Sequence, residues 1–391
     1  MRLLAVTNLY PPQELGGYGR SIADFVWGLQ QRGHHLQVIS SDADYLGPAG
    51  PHGPSGEPVD RGLQLKGTYA GGVQPLQDPA QRAAIDEANA ALLRRWLASE
   101  PWDGVLVGNL DLLGPELLTP LLAAGIPLQH HVGFVSPPYH PGQAPRAPHY
   151  QLVAASKAVR AGLLQAGLPV AQAPVIYPGA RTDLFELARP RPLPADGSPG
   201  RPLKVCFAGL LMASKGAHTV VEALIQLRHQ GLWVQLNLAG APFQEGYQPQ
   251  LESLLHQHGL QDQVQFIGPL ARPQLARFLA LHHVGVFPSI HPEAFGIVAA
   301  EMQAAGLVLV SSGVGGAAEL LEHGQTGLRF EPGKPDALAA CLRQLMQDPP
   351  LAERLARAGQ RSVRQHFSVA AAAAQLEQGF ASCSEPPLAL F

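Results

Sequence analysis

Val284-Gly285-Val286-Phe287-Pro288-Ser289, followed after Ile290 by His291-Pro292-Glu293-Ala294-Phe295-Gly296-Ile297-Val298-Ala299-Ala300-Glu301, decides how this chain is read. The first part is a short apolar strand that ends in a proline turn. The run 295–305 is Ala-rich, holds no proline, and meets Gly306 where a C-cap glycine belongs, so the spacing predicts a helix there. Glu293 then lies in the loop before the helix, and Glu301 sits between one and two turns inside it. The amides of Phe295, Gly296 and Ile297 fall among the first-turn donors that no helix carbonyl satisfies, which makes a site for an anion. Two glutamates at this spacing on a helix are by themselves ordinary surface residues. Placed after the C-terminal edge of a strand, where open α/β sheets bind ligands, they become candidates for holding the hydroxyls of a phosphorylated ligand.

The same grammar runs through both halves of the chain. Short apolar runs at 2–8, 36–40, 104–108, 127–131 and 152–154 alternate with helical patterns, and a helix is expected from about Tyr18 to Arg32, stopping at Gly33. A second series begins at 203–209 and continues at 233–239, 264–267, 284–287, 307–310 and 328–330. Alternating strands and helices signal parallel α/β sheets. Between the two series, 188–202 carries prolines at 190, 192, 194, 199 and 202, too many for a helix or a sheet ladder. The expected organisation is therefore an N-terminal Rossmann-like domain over 1–186, a Pro-rich linker over 187–202 and a C-terminal Rossmann-like domain over 203–391. The last helical segment, about 366–380, is expected to pack back on the N-terminal domain. The site belongs in a cleft between the strand ends.

Composition narrows the function. The 391 residues exceed what one core usually holds, and 46% apolar with 15% charged residues suits a globular protein. A net charge of −3 without a basic stripe excludes a nucleic-acid backbone as the natural partner. The three cysteines, Cys206, Cys341 and Cys383, are far apart and lack metal-ligand spacing, which fits a reduced, cytoplasmic setting. The start of the chain is too short an apolar run for a signal peptide, and no apolar run reaches the ~18 residues of a membrane span. Peripheral membrane contact stays open.

These residues resemble the retaining glycosyltransferases of family 4, the glycosyl transferases group 1, whose GT-B fold sets two Rossmann-like domains with parallel sheets facing each other across a cleft. Gly16-Gly17-Tyr18-Gly19-Arg20 and Gly33-His34-His35-Leu36-Gln37-Val38 resemble the family's glycine-rich first loop and second strand. Ala155-Ser156-Lys157, Val175-Ile176-Tyr177-Pro178-Gly179 with Asp183 and Phe185, and Gly209 with Lys215-Gly216 follow in family order. Glu293 to Glu301 matches the E-x7-E motif in full, and Gly315-Gly316 with Glu319 and Thr326-Gly327-Leu328 complete the series.

The resemblance implies transfer of a sugar from a UDP- or GDP-type nucleotide sugar to an acceptor hydroxyl, with retained configuration, front-face attack and neither metal nor separate cofactor. It assigns catalytic roles to Glu293, which holds donor-sugar hydroxyls, and to Lys215, which faces the diphosphate; His131 joins them as a candidate on its place near a strand end. It assigns donor binding to Gly16, Gly17, Lys215, Phe295, Gly296, Ile297 and Glu301, the last toward the ribose. Asp42-Ala43-Asp44 has the form of a metal-binding acid pair, but it enters a Gly/Pro loop and reads as a turn. The acceptor, a glycan, a lipid or a small metabolite, is expected on the first domain, in loops after Gly133 and around Pro137-Pro138-Tyr139-His140.

Two positions depart from the family pattern. Leu210 stands where the family carries a phosphate-binding arginine, and a lone lysine does not replace an arginine's two-pronged fork. Arg20 is the nearest substitute by role. Gly133 stands where the first domain's histidine belongs, with His130 and His131 just before it. Strand alternation sends these two to opposite faces, and His131, nearer the strand end, is favoured for the sugar or acceptor. The departures motivate a second reading, a sugar-nucleotide-binding protein of the same fold with impaired catalysis. An epimerase on this fold is a third.

Overall fold

The computed structural model describes residues 1–384 except 16, 18, 192, 194 and 195. The apolar runs lie in two six-stranded sheets, each parallel throughout, and the chain divides into two units. Strands such as Gly104–Val107 are buried along their whole length, as expected of a parallel sheet covered by helices on both faces.

In the first unit β1 (Arg2–Val6) leads to α1 (Arg20–Gln31), β2 (His35–Ser41), β3 (Val59–Leu63) and a small antiparallel hairpin of β4 (Gly67–Thr68) and β5 (Gln74–Pro75). Next come α2 (Pro79–Ser99), β6 (Gly104–Val107), α3 (Leu118–Ala123), β7 (Leu128–Val132), β8 (Tyr150–Ala154) and α4 (Lys157–Gln165). The sheet order is β3-β2-β1-β6-β7-β8, so the direction of winding reverses between β1 and β6.

The second unit repeats this pattern. It runs β9 (Leu203–Ala208), α5 (Ala217–His229), β10 (Val234–Ala239), α6 (Tyr247–Gln257), β11 (Val264–Gly268), α7 (Arg272–Leu279) and β12 (Val284–Phe287). It continues with α8 (Ile297–Ala304), β13 (Val308–Ser311), β14 (Leu328–Arg329), α9 (Pro335–Gln347) and α10 (Pro349–His366). The order is β11-β10-β9-β12-β13-β14, and the reversal falls between β9 and β12.

Domain boundaries differ from the expected 1–186, 187–202 and 203–391. The units part at Pro178/Gly179, and the chain returns to the first unit at Val369. Hydrogen bonds explain the earlier boundary: Ala180 N donates to Phe367 O at 2.8 Å, Arg364 Nη2 to Phe185 O at 3.0 Å and Gln360 Nε2 to Ala188 O at 3.1 Å. The described residues of the proline-rich stretch also lie along the second unit. Leu193 joins its core, and Trp233 N donates to Gly197 O at 2.7 Å. Extended proline backbone suits a strap laid on a surface as well as it suits a bridge.

The final helix, α11 (Val369–Ser384), belongs to the first unit. It buries Ala373, Leu376 and Phe380 in the core shared with Phe25, Val26 and Leu29 of α1. Full burial of one such side chain contributes roughly 1.5–3 kcal/mol. Its polar edge is tied by Gln129 Nε2, which donates to Leu376 O at 2.8 Å, and by Glu377, which accepts from Arg32 and His34.

Candidate functional site

The loops that leave β9 and β12 meet where the second sheet reverses its winding, the position at which open α/β sheets form a ligand crevice. Gly216, between the β9 loop and α5, has φ +74°, and a Cβ there would overlap the Pro288 carbonyl oxygen. Only glycine allows this approach. Ile290 N then donates to Ser214 O at 2.8 Å, and the two loops run side by side.

This approach brings Lys215 over Glu293. Lys215 Nζ donates to Glu293 Oε1 at 2.7 Å, and Ser289 Oγ donates to the same oxygen at 2.5 Å. The Glu293 backbone is pinned from the other side, since Gly316 N donates to Glu293 O at 2.7 Å. Ser312 Oγ, just after β13, donates to Ser289 O at 2.6 Å and steadies the serine in turn.

Behind this pair, α8 begins at Ile297 and not at the expected 295, because Gly296 has φ +97°, a left-handed conformation outside the helix. A Cβ at Gly296 would lie 3.2 Å from the Phe287 ring. Phe295 is buried and packs near Phe367, with ring centroids 6.0 Å apart. Gly296 and Ile297 stand at the helix start, and no side chain caps it. Glu301, inside α8, is 1% exposed, and its Oε1 lies 3.5 Å from Arg272 Nε at the start of α7. Sequence reasoning missed Ser289 and Arg272. Ser289 stood in the quoted stretch without a motif to mark it, and Arg272 gives no signal until α7 and α8 are packed.

In the first unit, Gly17 lies in the turn before α1, and a Cβ there would meet no atom within 4 Å. Gly16 lies outside the described residues. Arg20, at the first position of α1, donates to Glu14 Oε1 at 2.8 Å, so its charge is already engaged. Asp42 accepts from Gln13 Nε2 at 2.7 Å, and Asp44 opens a 3-10 turn, as the turn reading of Asp42-Ala43-Asp44 required. Cys206 is a buried free thiol, and burial pushes its pKa up.

The two histidines require a correction. His131, favoured for the sugar or acceptor, is 3% exposed, stands edge-on to Phe25 with centroids 4.8 Å apart, and its Nε2 lies 2.9 Å from Ile176 O. It is packed against α1. His130 is the one that lines a cavity of about 400 Å³ within this unit. Its Nδ1 lies 2.8 Å from Tyr150 Oη, and a hydrogen bond to the Gly108 backbone holds its other edge. Burial, then the neighbouring His131, lowers its pKa to about 3, so it stays neutral. His130 is a wall of the cavity and a poor base.

Among the described residues no three His, Cys, Asp or Glu side chains are grouped to hold a metal ion, and no helix is long and apolar enough to cross a membrane.

Comparison with known proteins fits this geometry. Residues 193–362 match the family model described as glycosyl transferases group 1. The glycogen synthase of Mycobacterium tuberculosis is 28% identical, the match covering 96% of this chain and 94% of the relative. A D-inositol 3-phosphate glycosyltransferase of Xylanimonas cellulosilytica is 29% identical over 74% of this chain and 69% of its own length. Among solved structures, a glycosyltransferase from Rickettsia africae superposes with a TM-score of 0.74 at 18% identity, covering 98% of each chain. Anabaena HepE, solved with UDP and glucose, superposes with a TM-score of 0.72 at 22% identity, covering 98% of this chain and 100% of its own. Both share the GT-B fold.

Proposed function

We propose, from the premise that the chain belongs to the glycosyl transferases group 1, that it is a retaining transferase using a UDP- or GDP-sugar donor without a metal ion. The observation that carries this reading is the Lys215–Glu293 pair at the reversal of the second sheet, with the start of α8 beside it. Without ligand, each charge neutralises the other. An incoming diphosphate draws Lys215 to itself, and Glu293, still steadied by Ser289, turns its carboxylate to the donor-sugar hydroxyls. Glu301, backed by Arg272, accepts hydrogen bonds from the ribose.

The acceptor oxygen bonds to the anomeric carbon on the face from which the diphosphate departs. The carbon–oxygen bond to the β-phosphate breaks with its electron pair, and the acceptor proton passes to a phosphate oxygen. Lys215 and the amides at the start of α8 stabilise the charge that develops on the leaving group. In this reading they do the work that a cation would otherwise do. The step needs no carboxylate nucleophile, unlike the paired-acid scheme of retaining glycosidases. The acceptor binds to the first unit, and a cytoplasmic setting suits the buried free thiol of Cys206.

A thermal-shift screen against UDP, GDP, ADP and their common sugars tests the donor. A ligand at ~100 times its Kd adds about 2.7 kcal/mol. A shift with one uridine or guanosine diphosphate sugar is expected, and no shift with any of them defeats the reading. Leu210 after β9 and Gly133 after β7 favour the alternative of a binding protein with impaired catalysis. Donor hydrolysis or transfer by the purified chain excludes that alternative.

A further inference from the structure

The first unit has a reversal of its own, between β1 and β6, and the cavity of about 400 Å³ opens beside the loops that follow β6 and β7. That volume falls in the ~300–1,000 Å³ range of small-molecule sites. Phe134, Pro137 and Pro138 give it apolar faces, and Asn109, Asp111 and Ser136 give it polar edges. A sugar ring is built the same way, with C–H faces and hydroxyl edges.

Asp111 is held in place from beneath. Its Oδ1 accepts from Asn8 Nδ2 at 2.9 Å and its Oδ2 from Tyr69 Oη at 2.7 Å, and both donors are buried. The next residue, Leu112, has φ +59°, rare for a branched side chain, and such strain gathers at functional loops.

Charge then separates one kind of sugar from another. The cation on the wall, Lys66, is 4% exposed and already donates to Asp86 Oδ1 at 2.8 Å and to Glu116 Oε2 at 2.9 Å. Gly114 leaves the room this clamp needs, since a Cβ there would lie 2.5 Å from Glu116 Oε2. Arg82 and Asp111 also line the wall. Asp86 and Glu116 do not line it but hold Lys66 from behind, and counting them the group has three carboxylates to two cations. A phosphoryl group, about −1.5 to −2 in charge, would enter this field and have to compete for Lys66.

We propose that this cavity is the acceptor site and that it takes an uncharged saccharide ring in preference to a phosphorylated one. The acceptor role rests on the transferase reading above; the preference for an uncharged ring rests on the cavity alone. It sets this chain apart from relatives named for an inositol phosphate acceptor.

The test uses the full chain and two pairs of probes, glucose with glucose 6-phosphate and myo-inositol with its 1-phosphate. Binding is read by saturation-transfer NMR, with and without UDP, and donor binding is read separately as the thermal shift with UDP-sugar. At least tenfold tighter binding of the uncharged member of a pair is expected. Glu116→Gln, which loosens the clamp on Lys66, should narrow that ratio several-fold. Asp111→Asn should weaken saccharide binding, and Ser136→Trp, at the exposed rim, should abolish it and keep the donor shift, which serves if Asp111→Asn does not fold. Equal or tighter binding of the phosphorylated twin overturns the inference, as does the absence of binding by all four probes while the donor shift persists. Saccharide binding without any donor shift leaves the cavity and its preference standing and defeats the transferase reading instead.

Discussion

Lys215 Nζ and Glu293 Oε1 lie 2.7 Å apart, so a cation from the loop after β9 and a carboxylate from the loop after β12 are joined across the reversal of the second sheet. A partly exposed pair of this kind contributes only about 0–1 kcal/mol to stability. In the proposed reaction its charge matters more, to the leaving diphosphate. Lys215→Ala should therefore lower kcat about 10²–10³-fold, the usual loss of one preorganised donor, and leave the melting midpoint within a few degrees. A comparable fall in both would make the lysine structural.

Glu293→Gln should separate the sugar from the nucleotide. The variant frees Lys215 from its counter-charge, so a nucleoside diphosphate alone should bind as tightly as to the wild type or tighter. The matching nucleotide sugar should lose its advantage over it, by about tenfold for one charge-assisted hydrogen bond. Paired calorimetric titrations read the difference.

Gly216→Ala should be costly in two ways. Its φ of +74° strains any L side chain, and its Cβ would overlap the Pro288 carbonyl. Strain of this kind costs of order 1–3 kcal/mol, and relief by moving the loop would carry Lys215 away from Glu293. A lowered melting midpoint together with weaker donor binding is expected. A variant with wild-type values for both would show that the two loops do not need to touch.

Much of this arrangement was legible before the fold was known, and particular residues show where legibility stopped. Runs such as 104–107 and 284–287 read as strands because both faces are buried and nothing polar interrupts them. β3 was missed because it is an edge strand of sequence Val-Asp-Arg-Gly-Leu, in which only the two ends are buried. The start of α8 was placed too early because alanine-rich spacing does not show the left-handed turn at Gly296. Alternation put His130 and His131 on opposite faces, but helices cover both faces of this sheet, so the pattern could not say which face a ligand meets. Arg272 meets Glu301 between two helices, and Asp111 meets Asn8 between the loops after β6 and β1, and no spacing in the sequence marks such partners.

Acidification should unfold the chain through histidines that are buried neutral. Burial, chiefly, lowers the pKa of His130 to about 3 and of His131, His282 and His283 to about 4. The unfolded chain protonates them near the ordinary value of about 6.5. Between these limits the unfolded state binds more protons, so stability should be level above about pH 7 and fall as pH drops from about 6.5 toward 4. Denaturant midpoints measured across pH 4–8 give the curve. A midpoint that rises on acidification through this window contradicts the assignment.

The proposed donor site rests most heavily on Glu301, buried in α8 with Arg272 beside it. Titration of UDP-glucose and GDP-mannose into the wild type and into Glu301→Gln, each checked for an intact melting transition, measures that dependence directly. Binding of one of the two donors by the wild type, weakened at least tenfold in the variant, is the result expected of a ribose-gripping carboxylate. Equal affinity in the two proteins would contradict a nucleotide-sugar site at Lys215, Glu293 and Glu301.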